Sequence, residues 1–195
     1  MSIVEIRDLR VAKNGAVICS AGELSVEAGE RVGIVGPNGC GKSTLLRVLA
    51  GLEWNFQGRG HVEVPRNQCI YVHQSPYLFR GTVLSNVCYG LRARGVRPAA
   101  RVGRAGEWLR RLGIDCLADA PVEQLSGGER KRTALVRALV LAPRLLLLDE
   151  PFAEMDTAGI AAFVGVLGEL QDTTVLLAAP SQPPSGSVAR EFHLD

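Results

Sequence analysis

Aromatic residues are scarce in this chain, at 5% of 195 residues, and several other features are missing altogether. No stretch approaches the roughly 20 apolar residues that a membrane-spanning helix requires, so no such helix is expected. The amino-terminal segment Met1-Ser2-Ile3-Val4-Glu5-Ile6-Arg7 lacks the basic-then-apolar order of a secretory signal and carries an early acid. The five cysteines (Cys19, Cys40, Cys69, Cys88, Cys116) are odd in number, scattered, and form no CxxC pair. That argues against a disulfide framework or a zinc site and for reduced thiols in a cytosolic compartment. There is no internal repeat and no low-complexity stretch. A net charge of +2 is too small to imply a polyanionic partner for the whole chain. What remains is an ordinary globular composition, 47% hydrophobic and 22% charged. The length suits one domain with a full core, or a core plus a small inserted lobe.

Charge is uneven along the chain. Between Arg80 and Arg111 there are eight arginines against one acid, Glu107. Such a run is either a solvated helical surface or a face for anionic headgroups or phosphates. Nucleic acid would call for interleaved aromatics, and only Tyr89 and Trp108 are available there, so no nucleic-acid partner is expected.

The first third reads as short strands. Val4–Leu9 and Glu23–Glu27 alternate apolar and polar residues, and Arg31–Val35 is a mostly apolar run suited to a strand buried on both faces. A helix is expected over Lys42–Ala50, with Leu45, Leu46 and Leu49 on one side and Gly51 as its stop. His61–Val64 and Cys69–Val72 are two further strands. From Thr82 to Leu117 the period becomes helical, with breaks at Gly95 and Pro98. Helical spacing recurs over Glu129–Leu139 and 157–170. Strand patterns return at Leu145–Leu148 and Thr174–Ala179, and Glu191–Leu194 is a last short strand. Strands alternating with helices around a glycine-rich loop predict an α/β protein with a three-layer core.

The loop itself reads Gly36-Pro37-Asn38-Gly39-Cys40-Gly41-Lys42-Ser43-Thr44. It stands between an expected strand and an expected helix, the context in which Gly-x-x-x-x-Gly-Lys-Ser is a phosphate-binding loop. Its glycines let backbone N–H groups converge on an anion, and the following helix adds the positive end of its dipole. Lys42 is expected to reach the β- and γ-phosphates and Ser43 to ligate Mg²⁺. Asp149, at the end of the Leu145–Leu148 run, can hold Mg²⁺ directly or through water. Glu150 can orient or deprotonate an attacking water. Gln74, just after the strand Ile70–Val72, can touch both metal and water. Ser126-Gly127-Gly128-Glu129 opens a helical pattern, which makes its hydroxyl and N–H groups a second anion site.

With these elements in this order, the chain resembles the nucleotide-binding subunits of ATP-binding-cassette (ABC) transporters over essentially its whole length. The resemblance rests on the phosphate loop, Gln74, Leu125-Ser126-Gly127-Gly128-Glu129, Leu145–Glu150 and Ala153-Glu154-Met155-Asp156. It implies a P-loop NTPase core with an N-terminal antiparallel β subdomain. The core would take residues 1–74 and 125–195 of a single domain, with an inserted helical lobe over about 75–124. It implies ATP and Mg²⁺ as ligands, and a dimer, with itself or with a related subunit, that sandwiches two nucleotides. In that dimer Lys42 and Ser43 of one copy face Ser126, Gly127 and Gly128 of the other across the γ-phosphate. It further implies a cytoplasmic location on the inner face of the membrane and an integral-membrane permease as partner. The segment Ser75–Val87 is similar to the part of importer-type subunits that docks a permease loop. There, Tyr77, Leu78 and Phe79 are either the contact or lobe core. Leu78–Leu91 and the short C-terminus are similar to subunits for small anions such as tungstate or molybdate, with no C-terminal regulatory domain expected. Non-transport members acting in DNA repair or translation need a long coiled-coil insertion or tandem cassettes, and neither is expected in these 195 residues.

Two positions depart from the family. Aligned without gaps, Thr174–Ser181 puts Pro180 where the family has histidine, and proline offers no side-chain donor and no N–H. Loss of a preorganised donor costs about 10²–10³ in rate, which leaves a weakened nucleotide sensor, or the degenerate half of an unequal pair, as the alternative reading. In the second, Val11-Ala12-Lys13-Asn14-Gly15 lacks the aromatic that the family stacks on adenine, worth about 1–3 kcal/mol if base stacking elsewhere is a guide. Cys40 is either a small residue required by the loop or a thiol activated by the helix start.

Overall fold

The computed structural model describes residues 2–194. The chain divides into two compact units. The first comprises Met1–His73, Pro143–Pro151 and Leu170–Asp195. It holds two sheets, one antiparallel and one parallel, so the expected α/β class and the antiparallel N-terminal part are both observed.

The antiparallel sheet is built on β1 (Ser2–Lys13), whose twelve residues serve three partners. One edge takes β2 (Ala16–Ala21) near its end and β3 (Leu24–Glu27) near its start, and the other takes β5 (Gln57–Val62). Asn14 and Gly15, both at positive φ, make the two-residue turn between β1 and β2. That is the Asn-Gly hairpin signature, whose twist matches the flanking strands. β2 has no clean alternation in its sequence, Ala-Val-Ile-Cys-Ser-Ala, and alternation alone does not predict it. β5 starts at Gln57 rather than His61 because the long free edge of β1 pairs with Gln57–Gly60 despite their low strand propensity.

The parallel sheet has the order β6-β7-β8-β4-β9. Its strands are β4 (Arg31–Val35), β6 (Cys69–Val72), β7 (Leu145–Asp149), β8 (Thr174–Ala179) and β9 (Arg190–His193). Every residue of the central β7 and β8 is buried, as near-continuous apolar runs in a two-face-covered sheet require. Helix α1 (Lys42–Leu49) packs on β7 and β8 and also on β2 and β5, so it is shared by both sheets. Leu45, Leu46, Val48 and Leu49 enter one core with Val4, Ile6, Leu9, Val32, Ile34, Leu147 and Leu176.

The second unit, Gln74–Ala142 with Phe152–Glu169, is helical. It holds α2 (Val83–Ala93), α3 (Pro98–Arg111), α4 (Gly127–Leu139) and α5 (Thr157–Glu169). It therefore takes in α4 and α5 as well as the segment 75–124. Thr82 caps α2 through the Ser85 N–H, and Pro98 opens α3 at its first turn, where its missing N–H is no loss. Leu91, Leu109, Leu112, Leu135 and Leu139 form its interior. No helix among the described residues is long and apolar enough to cross a membrane.

Candidate functional site

The candidate residues of the first unit lie at the carboxyl ends of β4, β7 and β8, the edge where parallel sheets bind ligands. β4 runs into the loop Gly36–Gly41, and α1 starts at Lys42. The loop needs its glycines for space as well as for conformation. A Cβ on Gly36 would lie 2.1 Å from the Leu194 carbonyl oxygen. Gly41, at φ 102°, would press a Cβ to 2.6 Å from Cys19 Cβ on β2. Pro37, Asn38 and Gly39 are exposed at the loop's tip, and Cys40 packs its Sγ against Gly36. Burial pushes the neighbouring Cys19 thiol up to about 11.

Helix α1 opens with no side-chain cap and no acid in its first turn. The N–H groups of Lys42, Ser43 and Thr44 have no carbonyl one turn before them, so they are donors available to an anion. Lys42 is 5% exposed, and its Nζ donates to the carbonyls of Gly36 (2.6 Å) and Pro37 (2.8 Å). The ammonium thus folds into the loop that it is expected to serve.

Asp149 ends β7 and is 2% exposed. Ser43 Oγ donates to its Oδ1 and the Tyr71 hydroxyl donates to its Oδ2, each at 2.9 Å. Burial and the Asp149 charge together drive the Tyr71 hydroxyl well above its ordinary pKa, so it stays a donor. Glu150, half-buried at φ 46°, turns the chain off the strand, with its N–H on the Ala178 carbonyl at 3.1 Å. Pro180 follows the next strand, β8, and is exposed. The Ser43–Asp149 pair is a hard-oxygen set of the kind Mg²⁺ takes. No cluster of three metal-binding His, Cys, Asp or Glu side chains exists among the described residues, so a cation here would complete its shell with phosphate and water.

The second unit carries Gln74 and the turn before α4. Gln74 is exposed, and its carbonyl accepts a bond from Lys131 Nζ of α4, a lysine only 1% exposed. Ser126 caps α4 in a complete capping box. Its N–H and its hydroxyl both donate to Glu129 Oε2 at 2.8 Å, while the Glu129 N–H donates back at 3.3 Å. These bonds hold the Glu129 carboxyl below the ordinary glutamate range. Gly127 and Gly128 lie against Glu154 and Met155, and a Cβ on Gly128 would stand 2.6 Å from the Glu154 carbonyl oxygen.

Of the aromatic segment, Leu78 is buried, whereas Tyr77 is 71% and Phe79 40% exposed. Asn86, itself buried, fixes Phe79 by bonding both its N–H and its carbonyl at 2.8 Å. Phe79 meets Tyr77 edge-to-face, with ring centres 5.6 Å apart, and Tyr89 at a tilt of 31°, 4.6 Å away. Beside Tyr89 a groove of about 300 Å³ runs between α2 and α3, lined by Leu84, Cys88, Pro98, Arg101 and Val102.

Residues that sequence reasoning missed are Tyr71 and Lys131. A tyrosine in an otherwise apolar strand must bring its hydroxyl a partner, and that was the available signal for Tyr71.

A family profile described as ABC transporter matches residues 20–153. The chain is 41% identical over 167 residues to the sulfate/thiosulfate import ATP-binding protein CysA of Pseudomonas putida, covering 78% of this chain and 50% of that protein. It is 37% identical to the spermidine/putrescine import ATP-binding protein PotA of Spiroplasma citri, covering 80% and 47%. It is 36% identical to the tungstate uptake system ATP-binding protein TupC of Peptoclostridium acidaminophilum, covering 78% and 74%. The chain thus spans about half the length of CysA and PotA. Among solved structures, cbiO1 of Clostridium perfringens, described as part of the ABC transporter complex cbiONQ, superposes with a TM-score of 0.84 at 26% identity, covering 100% of this chain and 85% of that one.

Proposed function

The chain belongs to the ABC transporter family, and from that premise we propose that it is the ATP-binding and ATP-hydrolysing subunit of an importer. In this reading it dimerises around ATP, with itself or with a related subunit, and drives a membrane permease from the cytoplasmic face. The observation that carries it is the contact of Ser43 with the buried Asp149, 2.9 Å apart, at the head of an uncapped helix that follows the glycine loop.

Each residue then has a task. The loop Gly36–Gly41, through its N–H groups other than at Pro37, and the first turn of α1 cradle the phosphates. Lys42 exchanges its two carbonyl partners for β- and γ-phosphate oxygens. Ser43 and Asp149 would hold Mg²⁺, with Gln74 as a further ligand. When bound, Mg²⁺ supplies charge neutralisation on the phosphates. Glu150 takes the proton from the water that attacks the γ-phosphorus, and ADP departs with the broken β–γ bridge oxygen. Ser126, Gly127, Gly128 and Glu129 present the second anion site to the nucleotide of the partner copy. Closure of such a composite site only around ATP turns binding into subunit motion.

We also propose that residues 75–124 act as the lobe that meets the permease. The exposed Tyr77 and Phe79 and the apolar groove beside Tyr89 support this. The transported substrate is selected outside this chain. Relatives of nearly equal identity are named for sulfate/thiosulfate, for a polyamine and for tungstate.

One observation favours a second reading. Pro180 has no donor to offer beside Glu150, so a slow ATPase, acting as a nucleotide sensor or as the weak half of an unequal pair, is the alternative. Steady-state phosphate release with and without Glu150→Gln separates the two. The ATPase reading expects a fall of about 10²–10⁴ on substitution. Background turnover in both forms, with ATP still bound, establishes the sensor.

A further inference from the structure

We propose that Tyr71 is a positioning residue for the divalent cation that accompanies the nucleotide, acting through the Asp149 carboxylate. The inference rests on the Mg²⁺–ATP reading above and adds a residue that the phosphate-loop pattern does not contain. β6 and β7 pair in parallel with Tyr71 opposite Leu147. Because side chains alternate, Tyr71 and Asp149 share a sheet face, with Asp149 two residues further along. The phenol is long enough to span that offset and donates to Oδ2 at 2.9 Å, while Ser43 donates to Oδ1 at the same distance.

Each carboxylate oxygen thus has its own donor. The terminal torsion of an aspartate is broad, so a carboxylate held on one oxygen can swing. Held on both, its plane is fixed and Oδ1 stays turned toward Ser43, the hydroxyl expected on the metal. The tyrosine ring is itself packed on the apolar core beside α1, which makes it a rigid strut. Phenylalanine would keep that packing and remove only the donor.

The test uses the full chain with Mn²⁺ as the metal and AMPPNP as the nucleotide. Electron paramagnetic resonance reads Mn²⁺ binding, and calorimetry in EDTA reads nucleotide binding without metal. Tyr71→Phe is expected to weaken Mn²⁺ binding to the nucleotide complex about ten- to a hundredfold, the usual effect of losing a residue that orients a ligand. Affinity for AMPPNP in EDTA stays unchanged. In an Asp149→Asn background the same substitution has no further effect, because Tyr71 works only through that carboxylate. Unchanged Mn²⁺ affinity, an equal loss in EDTA, or a full additional loss in the Asp149→Asn background each overturn the proposal. If the unsubstituted chain binds nucleotide but no Mn²⁺ with it, the Mg²⁺ reading fails first and this inference with it.

Discussion

Helices α1 and α4 both begin at a glycine-rich turn, yet their first turns are satisfied in opposite ways. α1 starts from Gly41 in a left-handed conformation, with no side-chain cap and no acid nearby in sequence. Its shape is enforced from outside, by β2 against Gly41 and by Leu194 against Gly36. α4 starts from Ser126 and is capped from within, its own Glu129 supplying the carboxylate that the helix start attracts. An uncapped start keeps its donors for a ligand and depends on its neighbours to exist. A capped start is satisfied from within its own helix, but an incoming phosphate must compete with Glu129 for the Ser126 donors. In the proposed dimer, the first is a standing receptor and the second is recruited only when a nucleotide arrives.

Lys42→Ala strikes the open start hardest. Losing a charge-assisted bond to phosphate costs about 1.5–3 kcal/mol, so ATP affinity by calorimetry should fall roughly ten- to a hundredfold with the helix content unchanged. An unchanged affinity would mean that the loop is not the receptor. Alanine at the two glycines sharpens the contrast. Gly41→Ala forces a side chain into a left-handed position already touching the β2 backbone, a strain of about 1–3 kcal/mol that should lower Tm by several degrees. At Gly127, where φ is negative, alanine meets the Glu154 side chain, most closely at its carboxylate end, which can rotate away, so the melting temperature of Gly127→Ala should move less.

The sequence made one of these starts fully legible and half-hid the other. Gly36–Ser43 and Asp149 were recognisable because the chemistry needs fixed spacings, and the fold brings Ser43 onto Asp149 as that chemistry requires. The Ser126-x-x-Glu129 spacing announces a capping box, but its consequence, a carboxylate that already holds the Ser126 donors, shows only in the folded chain. Tyr71 was hidden because it reaches Asp149 only through the register of two strands distant in sequence. β2 was hidden because its mixed residues become a strand only against the long β1, although Asn14-Gly15 marked the turn. In the aromatic segment, exposure was undecided until Leu78 turned inward and Tyr77 outward.

Smaller effects belong to the capped start. Ser126→Ala removes the cap and should cost about 1 kcal/mol in thermal unfolding, while ATP affinity of the single chain stays as it was. Glu129→Gln should change acid sensitivity. The folded-state pKa of Glu129 is depressed by its bonds to Ser126, so its stabilisation is present above the unfolded value, near 4.3, and is lost as pH falls through the lower folded value. The melting temperature of the unsubstituted protein should therefore drop more steeply below about pH 4 than that of Glu129→Gln. Parallel curves would show that the cap carries no net charge effect.

The most direct test of two half-sites is the mass of the Glu150→Gln protein by light scattering, with and without ATP. The two-half-site dimer predicts a single-chain mass without nucleotide, twice that mass with ATP, and no doubling when Ser126→Arg is added. A mass that stays at one chain in saturating ATP, or doubles regardless of Ser126, would contradict it.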